Sequence, residues 1–596
     1  MLNFKGQIMK KIFQILLASL LFASCSNTLS IEDLQSLDEE KVWNDPNLVN
    51  AYLSNLYTLF GNWNTQADIY SDQLVNVSFT TNLVTIQNAT FKSWDYEEIR
   101  KINTAIERVA ASTGLSDDLK RNVIGQALFM RAYVYFDMVK HHGGVPYVTV
   151  AQDLSTDDLQ VPRNSTKECF DLMVKDLDEA IAYLPKTIQK GSADYGRIDG
   201  NFATAFKAKV LLYMASPQFN PTNPYSNAYW AAAHTANKAA YEQLLTEGYS
   251  LTADYANITL QEKGPEVVFA VINAYPNKTA SWDNGVRPGS ESRGPANAVP
   301  SWEFVQAFPM ADGKMYNDPT GKYYRTDDEF LQRYWENRDP RFEKSIVWNG
   351  KLYEVSRKVG KRQYTSLGLA DALDDFGINP NAGVSSTNLS RYSGFFILKN
   401  SRLSLLQTEV QTQYDIDFVL MRFSEVLLNY AETANEMGDF ATAMALLQQI
   451  RQRAGIEPGD DGMYGISAST REQLREELLA ERNIEFCFEG HRFWDLRRLR
   501  KLDLLDGMIK HGVEAIAVNP NGTDMGLTMA KQLADNYQLV ESQFRYSILQ
   551  VPNVGEKVNR VPETFYFFPI QQSVMDRSPK VEQNSNWGGS FNPTLD

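Results

Sequence analysis

The chain predicts a mainly α-helical fold, in which pairs of amphipathic helices are interrupted by a loop-rich interval carrying short strands. Three observations predict it. From about Ser30 to Ser250 apolar residues recur at helical spacing. Ala127, Ala132, Ala180, Ala205 and Ala208 sit inside those stretches, where small side chains let two helices cross closely. Regularity then stops between Leu251 and Asp417, where Gly, Pro, Asn and aromatic residues punctuate the chain.

The elements follow in order. Asn44–Leu59 places Leu48, Ala51, Tyr52, Leu56 and Tyr57 on one stripe, and Tyr96–Ala111 does the same with Ile99, Ile102, Ile106 and Val109. Asn122–His142 is strongly apolar and ends at Gly143-Gly144-Val145-Pro146, a stop signal. Thr166–Leu184, Asn201–Met214 and Asn227–Leu245 complete the first helical run. Short loops between paired helices suggest tetratricopeptide-like units. Glu266–Ile272, Lys344–Trp348 and Gly394–Lys399 read as short strands. Helices return at Phe418–Glu436, Phe440–Arg453 and Arg471–Phe488. Thr470 and Gln473 form a capping box for the last, and Gly438 and Gly455 fit helix C-terminal positions. In the tail from Gly507 to Asp596, the Asn- and Gly-rich middle reads as a surface insertion.

The formal charge of −15 argues against a nucleic-acid partner, which rewards clustered Lys and Arg. Three cysteines, Cys25, Cys169 and Cys487, form no metal-type spacing and no disulfide framework. Cys169 and Cys487 read as buried thiols in apolar helical surroundings. Cys25 differs. It ends MKKIFQILLASLLFASCS, where lysines precede a short apolar run and small residues. That pattern is a secretory signal, and Ala23-Ser24-Cys25 resembles a bacterial lipobox. Residues 1–24 are therefore expected to be removed and Cys25 lipidated, with residues 25–596 forming one domain.

The stretch ERNIEFCFEGHRFWDLRRL, Glu481 to Leu499, mixes apolar residues with closely spaced charges. Acid–base catalysis would need a cleft and carboxylates of separated pKa, which the stretch does not supply. Arg482 and Glu485 share a helix face, so the pattern predicts paired charges that dock the last helices. Gly490 would allow a sharp bend, and His491 reads as a hydrogen-bonded or surface histidine. Nucleotide-loop, HExxH, GxSxG and EF-hand motifs are absent from the sequence, and no cofactor is expected. The acidic stretch ADALDDFG around Asp371 leaves a calcium ion as an open alternative, and His141-His142 at a helix end would need further ligands to hold a metal.

VWNDPNLVNAYLSNLYTLF, WDYEEIRKINTAIE, GQALFMRAYVYFDMVKHHGGVPYV, VPRNSTKECFDLMVKDLDEAIAYLP, MRFSEVLLNYAETANEMGDFATAMALLQQIRQRAG, the Glu481–Leu499 stretch and FYFFPIQQSVMDRSPKVEQN occur in this order. Together they resemble the SusD/RagB-like outer-membrane lipoproteins of Bacteroidetes over nearly the whole mature chain. The resemblance implies four tetratricopeptide-like helix pairs, about residues 30–250 and 411–505, and a loop-rich ligand-binding region, about 251–410, followed by a tail, 506–596. It also implies a non-enzymatic, lipid-anchored protein on the cell surface. Such a protein captures oligosaccharides and delivers them to a SusC-like TonB-dependent transporter. Peptide or glycopeptide capture, a periplasm-facing protein-binding scaffold and a glycoside hydrolase are the alternatives.

Sugars offer hydroxyls for hydrogen bonds and C–H faces for stacking, so a glycan site wants exposed Trp or Tyr beside polar residues. Two stretches have that mix. GNWNTQADIYSDQL contributes Trp63, Tyr70 and Asp72. SWDNGVRPGSESRG contributes Trp282, Asn284 and Arg287. These six are the expected ligand contacts. Trp302, Trp94, Trp335 and Trp494 are expected to pack internally.

Overall fold

The computed structural model describes residues 39–65, 67–75, 83–88, 90–153, 155–366, 368–370, 375, 392–551 and 560–596. Cys25 and the signal segment lie outside the described residues, as does most of ADALDDFG.

Asp45 opens the first helix. Its carboxylate accepts from Asn47 N at 2.7 Å and Leu48 N at 3.3 Å, and Pro46 occupies a position that needs no N–H donor. Helix α1, Pro46–Leu56, buries Val49, Leu53 and Leu56. Helix α2 occupies Tyr96–Ala111 as expected. Helix α3 runs Asp117–His142, beginning ahead of its apolar stripe because Ser116 caps Leu119 N. Helix α4, Thr166–Tyr183, starts at a complete capping box of Ser165 and Glu168. Helices α5, Gly200–Ala215, and α6, Tyr229–Thr246, follow. Each helix from α2 to α6 packs on its chain neighbour.

Strand β1, Val267–Val271, is buried throughout. After it the short helix α7 spans Trp282–Val286, and β2, Ile346–Val347, pairs antiparallel with β3, Phe396–Ile397. The expected helix at Phe418 begins later. Residues Phe418–Arg422 form β4, antiparallel to β1, and helix α8 occupies Phe423–Glu436. The run FVLMRF is apolar enough to serve either element. The free edge of β1 decides, since Phe423 N donates to Glu266 O at 2.8 Å. Helices α9, Phe440–Ala454, α10, Arg471–Glu485, and α11, Arg492–Arg498, complete the scaffold.

The middle of the tail is not a surface insertion. Strands β5, His511–Ala517, and β6, Phe544–Gln550, form a hairpin, with helix α12, Leu527–Asp535, between them. Val513, Ala515, Ala517, Phe544 and Tyr546 alternate inward and enter a core built from the loop-rich region. A separate, larger core unites helices α1–α6, α8–α11 and Phe565–Phe568.

The end of α3 is closed by distant chain. Gly143 takes φ +77°, and a Cβ at Gly144 would lie 2.1 Å from Asn164 O, so glycine is required at both. Arg497 donates to Lys140 O at 2.6 Å, His141 O at 2.9 Å and Phe565 O at 2.9 Å. Arg163 donates to His142 O at 2.8 Å and Glu582 O at 2.8 Å, and Thr166 Oγ1 donates to Pro593 O at 2.9 Å. Cations thus meet the negative helix end, but they are arginines. Burial keeps His141 and His142 neutral, pushing them down to about 4 and about 3.

The charges of Glu481–Leu499 are largely buried, and apart from Arg497, which bonds backbone carbonyls, the arginines of that stretch are ion-paired. Arg422 bonds Glu266 Oε1 at 2.7 Å, Glu485 Oε1 at 2.7 Å and Glu489 Oε2 at 2.8 Å. Arg341 bonds Asp339 at 2.8 Å, Glu481 at 2.6 Å and Glu485 at 3.0 Å. Arg482 and Arg498 share Asp495, at 2.8 and 3.1 Å. Burial alone would raise the Glu485 carboxyl, but Arg453, Arg422 and Arg341 outweigh it and hold it well below the carboxylate range. These carboxylates are locked as anions and serve as joints between helices. Gly490, at φ +77°, makes the bend between α10 and α11. His491 stacks on Phe486 at 4.5 Å and is pushed down to about 4 by burial.

Candidate ligand-binding groove

The six expected contact residues separate into two places. Tyr70 and Asp72 belong to the scaffold. The Tyr70 ring packs 4.7 Å from Phe91 and 6.0 Å from Phe493. Asp72 holds Arg492 through two hydrogen bonds, 2.9 and 2.6 Å. Burial would raise the Asp72 carboxyl, yet the Arg492 guanidinium wins and keeps it below its ordinary value. The carboxylate is committed to its own protein.

Trp63, Trp282, Asn284 and Arg287 gather in the loop-rich region. Trp282 is only 3% exposed and donates its indole N–H to Lys399 O at 3.2 Å. Arg287 is fully buried. It pairs with Asp283 at 2.5 Å and donates to Leu405 O at 3.0 Å and Arg402 O at 2.5 Å. Loop composition suggested exposure for both, but the aromatic ring and the guanidinium are used inward, to hold irregular backbone whose carbonyls need donors. The expectation that they touch ligand is corrected accordingly. Half-buried Trp63 packs at a tilt, 5.3 Å from Trp282, and donates to Ile416 O at 3.0 Å. Asn284 Oδ1 accepts from Arg293 N at 3.0 Å. Trp302, 4% exposed, packs internally as expected.

The backbone gripped by these residues forms the wall of an open groove of about 700 Å³. Tyr255, Ala256, Leu260 and Glu262, Glu343 and Lys344, Lys351 and Leu352, and residues 398–404 line it, with Asp415 and Ile416. Lys399 O and Ile416 O, the acceptors of Trp282 and Trp63, both belong to this wall. On the rim Leu352 is 51% exposed. Lys351 lies 3.7 Å over the Trp348 ring and pairs with Glu343 at 2.6 Å. Arg402 pairs with Asp415. Burial pushes the Lys351 ammonium down to about 8 against the pull of Glu343. The groove therefore offers aliphatic surface beside amide, hydroxyl and charged groups, a lining able to hold a polyhydroxylated ligand. A smaller cavity of about 180 Å³ lies among α3, α5, α8 and α11, beside ion pairs such as Lys209–Glu425 at 2.8 Å.

Lys344, Lys351 and Asn400 escaped the sequence reading. Turn residues were the available signal, because Asn349-Gly350 and Asn400-Ser401 directly follow the two short strands that were expected.

The sequence pattern of the SusD family matches residues 265–587. The chain belongs to the SusD family. A second pattern, described as starch-binding associating with outer membrane, matches residues 26–212 of this SusD-family chain. SusD-like protein P38 of Formosa agariphila is 25% identical over 513 residues, covering 82% of this chain and 91% of the relative. A SusD-like protein of Bacteroides fragilis superposes with TM-score 0.69 at 24% identity, covering 92% of this chain and 98% of the other. A SusD-like carbohydrate-binding protein of the same organism gives TM-score 0.69 at 19% identity, covering 91% and 99%. These likenesses establish the helical SusD fold. Among the described residues no helix is long and apolar enough to cross a membrane.

Proposed function

We propose that this SusD-family protein binds oligosaccharide at the outer surface of the outer membrane, without transforming it, and passes it to a SusC-like TonB-dependent transporter. The observation that carries the reading is the open groove of about 700 Å³ in the loop-rich region. Family membership and the outer-membrane description of the matching pattern support it. Lipidation at Cys25 would tether the protein. A second acyl signal makes such attachment stable, since one chain alone binds marginally. Trp63, whose indole bonds the groove carbonyl of Ile416, and Asn284 remain proposed contacts.

The test pairs a glycan array and a peptide library with the purified protein and its Leu352→Trp variant. The indole would fill the groove mouth from an exposed position. Glycans should bind the wild type and bind the variant at least about tenfold more weakly, a difference of roughly 1.4 kcal/mol. Peptide binding alone, or glycan binding untouched by Leu352→Trp, would overturn the proposal.

A further inference from the structure

Asn-Gly occurs three times in the chain, at Asn284-Gly285, Asn349-Gly350 and Asn521-Gly522. In this pair the glycine nitrogen can attack the preceding side-chain amide with least hindrance, since glycine puts no side chain in the way. Attack closes a five-membered ring and needs rotation of the backbone at the Asn. The fold therefore decides which pair reacts.

Two of the three are held. Asn349 is 1% exposed, its Oδ1 accepts from Thr365 N at 2.9 Å and Ser366 N at 3.2 Å, and Gly350 N donates to Gln363 O at 2.7 Å. Gly350 also lies against Glu541, whose backbone nitrogen would be 2.7 Å from a Cβ at that glycine. Asn284 and Gly285 lie inside helix α7, where the helical backbone fixes ψ. Asn284 Oδ1 accepts from Arg293 N at 3.0 Å, and Gly285 O accepts from Asn297 N at 2.7 Å.

Asn521 stands at the tip of the tight turn that follows β5, between bridged Val518 and Asp524. Pro520 to Asp524 are all exposed, and nothing lies within 4 Å of the place a Gly522 Cβ would take. A single bond, Gly522 N to Asn519 O at 2.8 Å, restrains the attacking nitrogen. The carbonyl under attack is prepared. Thr523 donates to Asn521 Oδ1 twice, from Oγ1 at 2.7 Å and from N at 3.2 Å. Those donors polarise the carbonyl and meet the negative charge that develops on its oxygen.

We propose that Asn521 is a site of spontaneous deamidation in the folded protein. Gly522 N attacks Asn521 Cγ and a C–N bond forms. The side-chain nitrogen leaves as ammonia, taking the proton that Gly522 N gives up. Water then opens the cyclic imide at either carbonyl and yields an aspartyl or an isoaspartyl residue. Both products add one negative charge to the −15 of the chain, and the isoaspartyl form also lengthens the backbone of the turn.

The native protein, incubated at neutral and mildly alkaline pH and digested at intervals, tests this by mass spectrometry, with enzymatic methylation to detect isoaspartyl residues. Asn521 should convert at least about tenfold faster than Asn284 or Asn349. In urea, where the fold no longer selects, all three should convert at comparable rates. Thr523→Val, which removes the hydroxyl donor at an exposed position, should slow Asn521 about threefold, less than in an enclosed site. Native conversion of Asn284 or Asn349 as fast as Asn521 overturns the assignment, as does an inert Asn521 in a chain that reacts when denatured. A tenfold preference that persists in urea overturns selection by the fold. An unchanged rate in Thr523→Val overturns the role of its hydroxyl.

Discussion

At the joint between α8 and α10, Arg422 is surrounded by three carboxylates, and one of them, Glu485, meets three arginines. Across the chain at Lys344, in the loop-rich region, an ammonium faces open space. Both places look alike in composition, since each mixes basic, acidic and aromatic residues. Burial separates them. In a low-dielectric joint an unpaired charge costs several kcal/mol, and there each carboxylate around Arg422 is held by a cation. An open groove can leave potential unspent, and a ligand can use it.

Four substitutions probe that contrast, beginning with the most damaging. Arg422→Met strands Glu266, Glu485 and Glu489, and should cost about 3–5 kcal/mol or more in denaturant unfolding. Arg402→Met at the groove, where the pair with Asp415 is part-exposed, should cost about 1 kcal/mol or less. Comparable losses at the two sites would erase the distinction between joint and groove.

Trp282→Ala is next. It empties a core position, frees Lys399 O and removes the support of Trp63, and should destabilise by about 3–5 kcal/mol. A variant that unfolds at the wild-type midpoint but no longer binds glycan would return Trp282 to the ligand surface, where loop composition had placed it.

The smallest effect concerns Asp68, next to the joint. Its Oδ1 accepts from Gly490 N at 3.0 Å, its other oxygen has no partner among the described residues, and burial pushes it from 3.8 up to about 7. Between those values the native state holds a proton that the unfolded chain has released, so its contribution to stability declines as pH rises from about 4 to about 7. Asp68→Asn keeps the acceptor and removes the titration. The variant should gain stability on the wild type across that window and hold a constant advantage above it. Unfolding midpoints at several pH values measure this, and a pH-independent difference would refute it.

Much of the scaffold was readable because helix period and burial coincide there. Ile99, Ile102 and Val109 face inward on α2 as their spacing requires, and Ser165 with Glu168 caps α4 where the apolar stripe begins. The Glu481–Leu499 charges were readable as joints, since Arg482 and its neighbours lacked the setting chemistry needs. The site was harder. Trp282 and Arg287 lie among Gly, Asn and Ser, a composition that marks irregular backbone and says nothing of which side of that backbone meets solvent. Irregular backbone needs donors, and here they come from within. The β5–β6 hairpin was missed for a related reason, because Asn519, Gly522 and Gly526 between its strands dominate the local composition.

The closure of α3 bears on how the chain becomes a folded body. Lys140 O and His141 O are capped by Arg497, so more than three hundred residues are synthesised after that helix before these carbonyls find their donor. Until then the central helix carries raw carbonyls and an uncovered apolar flank, and a polypeptide emerging in order must keep them from other chains. Assembly speed is thus tied to a clasp made late, which favours slow maturation and a need for chaperoning before the protein reaches its station.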